Sequence, residues 1–225
     1  MRQAVTAVLR KDLQLELRAP QAVPAMALFS VTTLVVFHFA LQRNTVEGEL
    51  AAGVLSVTLL FAAMLGISRL FVAEREEGGF DAFLLAPVDR TALLVAKALA
   101  LLCFLVAVEV VLVPAFALLL LGPGLDAGTV ARLAGLLLLV DAGIAVVGTL
   151  VSAIAVQTRT RDLLVPLLGL PLLIPVVIGL ARGATPLFLE AGAEALPGRW
   201  LVVLALYDLT FGLLAYALFD YLVED

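Results

Sequence analysis

Between Ala22 and Leu222 the sequence passes six times through about twenty consecutive residues of almost nothing but Leu, Val, Ala, Phe, Ile and Gly. The runs are approximately Ala22–Leu41, Leu50–Phe71, Ala92–Leu121, Ala131–Val156, Leu163–Ala181 and Trp200–Leu222. A helix needs about 20 such residues to cross roughly 30 Å of hydrocarbon. The runs are continuous rather than alternating, which argues against strands. Hydrophobic residues make up 63% of the 225-residue chain and charged residues 15%. A water-soluble domain of this length needs more polar surface than that. The expectation is an all-α polytopic membrane protein with six transmembrane helices and a single membrane domain.

The remaining composition removes several functions. A net charge of -5 with scattered basic residues disfavours a nucleic-acid partner. A lone cysteine, Cys103, excludes an internal disulfide and a cysteine metal cluster. A lone histidine, His38, excludes an HExxH site. Neither Lys11 nor Lys97 follows a glycine, so a GxxxxGK phosphate loop is absent. If ATP drives this protein, another chain binds it; the chain itself is expected to be non-catalytic, with no bound metal and no resident cofactor.

Residues 1–20 differ from the rest of the chain. Val5, Val8, Leu9, Leu13 and Leu17 fall near one helical face, and Arg2, Arg10, Lys11 and Glu16 mostly fall elsewhere. This predicts an interfacial amphipathic helix. A cleaved signal sequence is disfavoured, because the apolar run behind it is too long. Basic residues set orientation. With the N-terminus inside, the inner segments hold Arg2, Arg10, Lys11, Arg18, Arg69, Arg75, Arg90, Lys97, Arg159 and Arg161. The outer ones hold Arg43, Arg132, Arg182 and Arg199, which favours both termini in the cytoplasm.

The segment 73–90 is then a cytoplasmic loop. Four of the five residues from Ala73 to Glu77 are charged, and Arg69 to Glu77 can continue the second span into water. Gly78 and Gly79 break that stalk. Phe80, Phe83, Leu84 and Pro87 then follow i, i+3, i+4, i+7, with Asp81 in the first turn. Such a boundary helix serves either as a surface-lying connector or as a docking knob for another protein; the pattern alone leaves both open.

Three acids interrupt apolar spans: Glu109, Asp141 and Asp208. Each would cost about 2.5–3.5 kcal/mol facing lipid at a helix centre, so each is expected to face protein, water or a partner. The favoured role is a carboxylic acid hydrogen-bonded to a neighbouring helix; the alternative is a transport path or partner contact. An intramembrane aspartyl protease is rejected, since no GxGD accompanies Asp141 and the Tyr207-Asp208 pair comes last. His38, near the outer end of span one, reads as a polar cap, with a heme contact as the less favoured role. Pro166, Pro171 and Pro175 predict a kinked fifth span. The outer segment 182–199 reads as a short re-entrant or surface hairpin or as a plain loop, with Trp200 as an interfacial anchor. The turn Gln157–Asp162 is a second, smaller candidate for contact with a partner.

The stretch SRLFVAEREEGGFDAFLLAPVDRTALLVAK, Ser68 to Lys97, resembles the signature loop of the cytochrome c maturation protein B family, through Arg69, Phe71, Glu74, Gly79, Asp81, Leu84, Leu85, Pro87, Ala96 and Lys97. LLGLPLLIPVVIG, Leu167 to Gly179, resembles the family's proline-spaced fifth span. Ser68 departs from the pattern, which has an acidic residue there. The resemblance implies an ABC-transporter permease of the heme-exporter type, working as a homodimer or within a larger inner-membrane complex with a heme-handling membrane protein. It implies a separate ABC ATPase coupled through Arg69, Phe71, Glu74, Gly79, Phe80, Asp81, Phe83, Leu84 and Pro87. Heme is then the cargo, or ATP hydrolysis releases a loaded heme chaperone. An exporter of a drug, lipid or polysaccharide, or a non-transporting scaffold, remains the alternative.

Overall fold

A computed structural model describes the chain except residues 44, 73–90, 123–124, 157, 159–160, 190–192 and 223–225, with backbone only at 161–162 and 219–222. The described residues form seven α-helices: α1 Arg2–Arg18, α2 Ala22–Leu41, α3 Gly48–Arg69, α4 Thr91–Phe116, α5 Ala127–Val156, α6 Arg161–Ala184 and α7 Gly198–Leu222. A π-helical turn, Ala117–Leu121, prolongs α4, and a 3-10 turn, Thr185–Phe188, prolongs α6. Six helices, α2 to α7, are long and apolar enough to cross a membrane.

The helices are not equivalent. In the most apolar windows of α3 and α5, 67% and 72% of residues are buried inside the bundle, against 22% for α2 and 11% for α7. So α3 and α5 form the centre, α4 and α6 flank both, and α2 and α7 form the rim. Lipid is as apolar as Leu, so no hydrophobic force holds these helices together; close backbone approach does. Gly148 of α5 shows this. A methyl group there would sit 2.6 Å from Ile67 Cγ1 of α3 and 3.0 Å from Leu101 Cδ2 of α4. Beside it, Ser152 Oγ donates to the Ile67 carbonyl at 2.9 Å. Hydroxyls of Ser30, Ser56, Thr58 and Thr149 instead donate to the carbonyl four residues back, which satisfies them within their own helices.

Prolines shape two spans. Pro114 lies inside α4 and removes a helical donor, and the helix loosens into the π turn three residues later. Gly122 closes that turn at φ 79, a conformation open to glycine. Pro166, Pro171 and Pro175 all lie within α6, as expected of the fifth span. Tyr207 of α7 donates its hydroxyl to the Leu172 carbonyl at 2.6 Å, one residue beyond the Pro171 carbonyl that Pro175 leaves without its helical N–H. The segment 182–199 starts inside α6 rather than as a loop. Its 3-10 turn packs Leu187 and Phe188 into the bundle, and the Phe188 ring meets Phe116 edge-on at 5.4 Å.

One expectation fails in α1. Leu17 is 83% exposed, whereas Asp12 is the buried residue of the helix. Residues 5, 8, 9, 12, 13 and 16 lie on the inward face, so Glu16, expected mostly elsewhere, joins Asp12 beside Val5, Val8, Leu9 and Leu13. The physical reason is that both acids have partners elsewhere in the chain.

Candidate functional site: the α1 end of the bundle and the acids within it

Glu16 closes the corner between α1 and α2. Its carboxylate accepts the backbone N–H groups of Gln21 at 3.0 Å, Ala22 at 3.2 Å and Val23 at 2.8 Å. The next residue, Pro24, has no N–H. The unpaired donors that open a helix are thereby satisfied, and the negative group sits at the positive end of the α2 dipole.

Asp12 reaches across to α4. Its Oδ2 lies 2.9 Å from Lys97 Nζ, with the two side chains 8% and 2% exposed. The contact is an ion pair; its geometry at Oδ2 falls short of an aligned hydrogen bond. Lys97 Nζ donates to the Leu70 carbonyl at 3.1 Å and lies 5.2 Å from the centre of the Phe71 ring. Phe71 is itself buried. Charges so buried are tolerable only when paired, since removing one partner of such a pair costs about 3–5 kcal/mol. Arg69 donates to Gln21 Oε1 at 3.3 Å, which ties α3 to the start of α2. Ser68, standing where the resembled pattern has an acid, donates to the Leu65 carbonyl at 2.8 Å. Of the expected coupling residues, Arg69 and Phe71 therefore stand at this end. Glu74, Gly79, Phe80, Asp81, Phe83, Leu84 and Pro87 lie outside the described residues, as does most of the Gln157–Asp162 turn.

The intramembrane acids do face protein. Glu109 of α4 and Asp141 of α5 meet across the interface of those helices. Asp141 is fully buried and Glu109 9% exposed. No N–H or O–H donor among the described residues reaches Glu109 Oε1 or either Asp141 oxygen. Two carboxylates can only accept, so a hydrogen bond between them requires that one carry a proton. Asp208 of α7 stands apart, against the backbone of α5: a methyl group on Gly143 would lie 2.5 Å from its Oδ1. Glycine is what lets the carboxyl approach there.

His38 is satisfied at the opposite end of the bundle. Its Nδ1 lies 2.6 Å from the Leu119 carbonyl in the π turn. A carbonyl only accepts, so the ring proton sits on Nδ1. The bond ties α2 to the end of α4. No group of three or more His, Cys, Asp or Glu side chains among the described residues could hold a metal ion. The same end carries an exposed Arg182–Glu49 ion pair at 2.6 Å. Asp126 caps α5 there, accepting the N–H groups of Gly128 at 2.9 Å and Thr129 at 3.1 Å and the Thr129 hydroxyl. The Thr129 hydroxyl, then its N–H, hold the Asp126 carboxyl below its ordinary value.

Sequence reasoning missed the Asp12–Lys97 pair and the Glu16 cap. A signal existed: Asp12 and Glu16 continue the i, i+4 series from Val8 on the packed face, and Lys97 is a cation inside an apolar run.

Together these features define a class: a polytopic α-helical membrane protein with a buried charge cluster at one end and acids enclosed between its spans. Comparison with known proteins is more specific. The family description "CcmB protein" matches residues 3–220, and the chain belongs to that family. It is 34% identical over 206 residues to heme exporter protein B of Rhodobacter capsulatus, covering 89% of this chain and 93% of the relative. It is 31% identical over 208 residues to heme exporter protein B of Pseudomonas aeruginosa, covering 90% of each. It is 33% identical over 219 residues to heme exporter protein B of Paracoccus denitrificans, covering 95% of this chain and 94% of the relative.

Proposed function

We propose that this chain is the permease subunit of a heme exporter serving cytochrome c maturation, powered by ATP hydrolysis in a separate ATPase chain. The observation that carries this is the correspondence, over nearly the whole length, with relatives named heme exporter protein B. The absence of a phosphate loop from the sequence supports a division of labour in which the ATP site belongs to a partner. The α1 end faces the cytoplasm, as the ten-to-four distribution of basic residues favours, with both termini inside and the chain in the inner membrane. The loop 73–90 docks in the ATPase through Phe80, Phe83 and Leu84. Arg69 and Phe71 pass the resulting motion to α3, and Lys97 passes it to α4. The complex includes a heme-handling membrane protein and a second copy of this chain; heme is cargo rather than a resident cofactor.

The test is genetic and biochemical together. Deleting the gene should abolish holo c-type cytochromes, and the wild-type chain should restore them. Phe83→Asp with Leu84→Asp should insert normally yet lose the co-purifying ATPase. An ATPase that still co-purifies sinks the docking assignment. A deletion that leaves the cytochromes unchanged but alters drug or lipid export points to the other exporter class.

A further inference from the structure

We propose that α1 is a second coupling element, clasped by the Asp12–Lys97 ion pair so that it moves with the ends of α3 and α4. This rests on the exporter reading for its functional arm, but the clasp itself is geometric. Lys97, on α4, gathers three groups: Asp12 of α1 at 2.9 Å, and, from the end of α3, the Leu70 carbonyl at 3.1 Å and the Phe71 ring at 5.2 Å. Leu70 and Phe71 directly precede the segment 73–90, and α4 begins directly after it. The two arms of that loop therefore meet at one ammonium group, and Asp12 holds α1 to the same group.

The second tie runs from α1 to the first span. Glu16 lies one turn beyond Asp12 and accepts three N–H groups at the start of α2. Displacement of the loop arms thus reaches α2 along a short path: Lys97, Asp12, one turn of α1, Glu16, the α2 terminus. An amphipathic helix held only by lipid has no such path, because its polar side chains stay in water. Here the acids lie on the packed face and α1 lies against α4. Asp12 and Lys97 act here as positioning residues, through the helices they join.

The experiment uses the complex with its ATPase in lipid nanodiscs, comparing Asp12→Asn, Lys97→Met and the double variant. Amide exchange over residues 2–18 should quicken by about tenfold in each single variant, and the double should be no worse than the worse single, as groups that act through each other behave. The ATPase should still co-purify and hydrolyse ATP, while holo c-type cytochrome in cells falls by about fivefold or more, which a merely structural weakening would not separate. If a single variant fails to accumulate, the double variant, which removes both charges of this pair, should accumulate and give the readout. Unchanged exchange in α1, or additive effects in the double, overturns the clasp. Loosened α1 with full cytochrome output overturns its coupling role. A wild-type chain that co-purifies with no ATPase overturns the exporter reading instead, and the exchange measurement still decides the clasp.

Discussion

Single side chains in this protein matter through what they leave unpaired. Glu109→Gln keeps a group that can donate to Asp141 across the α4–α5 interface, so membrane level and cytochrome output should stay within about twofold of wild type. Normal levels with complete loss of cytochrome would move Glu109 from a packing role to the transport path. His38→Ala removes the bond to the Leu119 carbonyl, and interhelical bonds of this kind contribute about 0.6 kcal/mol on average in membranes. A small drop in thermal stability in detergent, with co-purifying heme unchanged, is the expected outcome; loss of heme would make His38 a ligand. Glu16→Ala uncaps α2 and should destabilise by about 1–2 kcal/mol. A thermal midpoint equal to that of wild type would contradict the cap.

Helices were legible in the sequence to the extent that length and apolarity decide them. All six expected spans are present, because twenty apolar residues have few alternatives in a bilayer. Ends were harder. The π turn after Pro114 and the 3-10 turn after Ala184 add residues that no hydropathy pattern distinguishes from helix. The packed face of α1 is hard to read at Asp12 and Glu16, since an acid on a packed face makes sense only with its partner, and Lys97 lies far along the chain. The sequence places three acids inside apolar spans, but that Glu109 and Asp141 come together follows only from the helix arrangement. Close helix approach is testable as well. Gly148→Leu forces atoms into Ile67 and Leu101, and overpacking of this sort costs about 1–3 kcal/mol. Membrane levels should fall clearly below those of a Gly135→Leu control, where a methyl group meets nothing within 4 Å; equal levels would mean that the α3–α5 contact yields easily.

For the molecule as a whole, the central prediction is its direction in the membrane. Cys103 is the chain's lone cysteine, so a Cys103→Ser background allows single thiols to report sidedness. A membrane-impermeant maleimide should label Glu194→Cys in spheroplasts and Thr6→Cys only after lysis. The reverse pattern would invert the topology and, with it, the placement of the ATPase. The rim position of α2 and α7, with little of either buried, leaves their outer faces to lipid or to other subunits.

The pairing of Asp12 with Lys97 also has a meaning in time. During synthesis at roughly 5–20 residues per second, the lysine leaves the ribosome on the order of ten seconds after the aspartate. Until then the first helix can associate with the nascent bundle only through contacts available to it early, among them the Glu16 cap on α2. Its final seating waits for the hairpin of α3 and α4 to be inserted the right way round. A misoriented hairpin would leave Lys97 on the far side of the bilayer and Asp12 with Lys11, 3.3 Å from its Oδ1, in place of its interhelical cation. The ion pair between α1 and α4 can therefore form only once the first three spans are inserted with Lys97 on the side of α1.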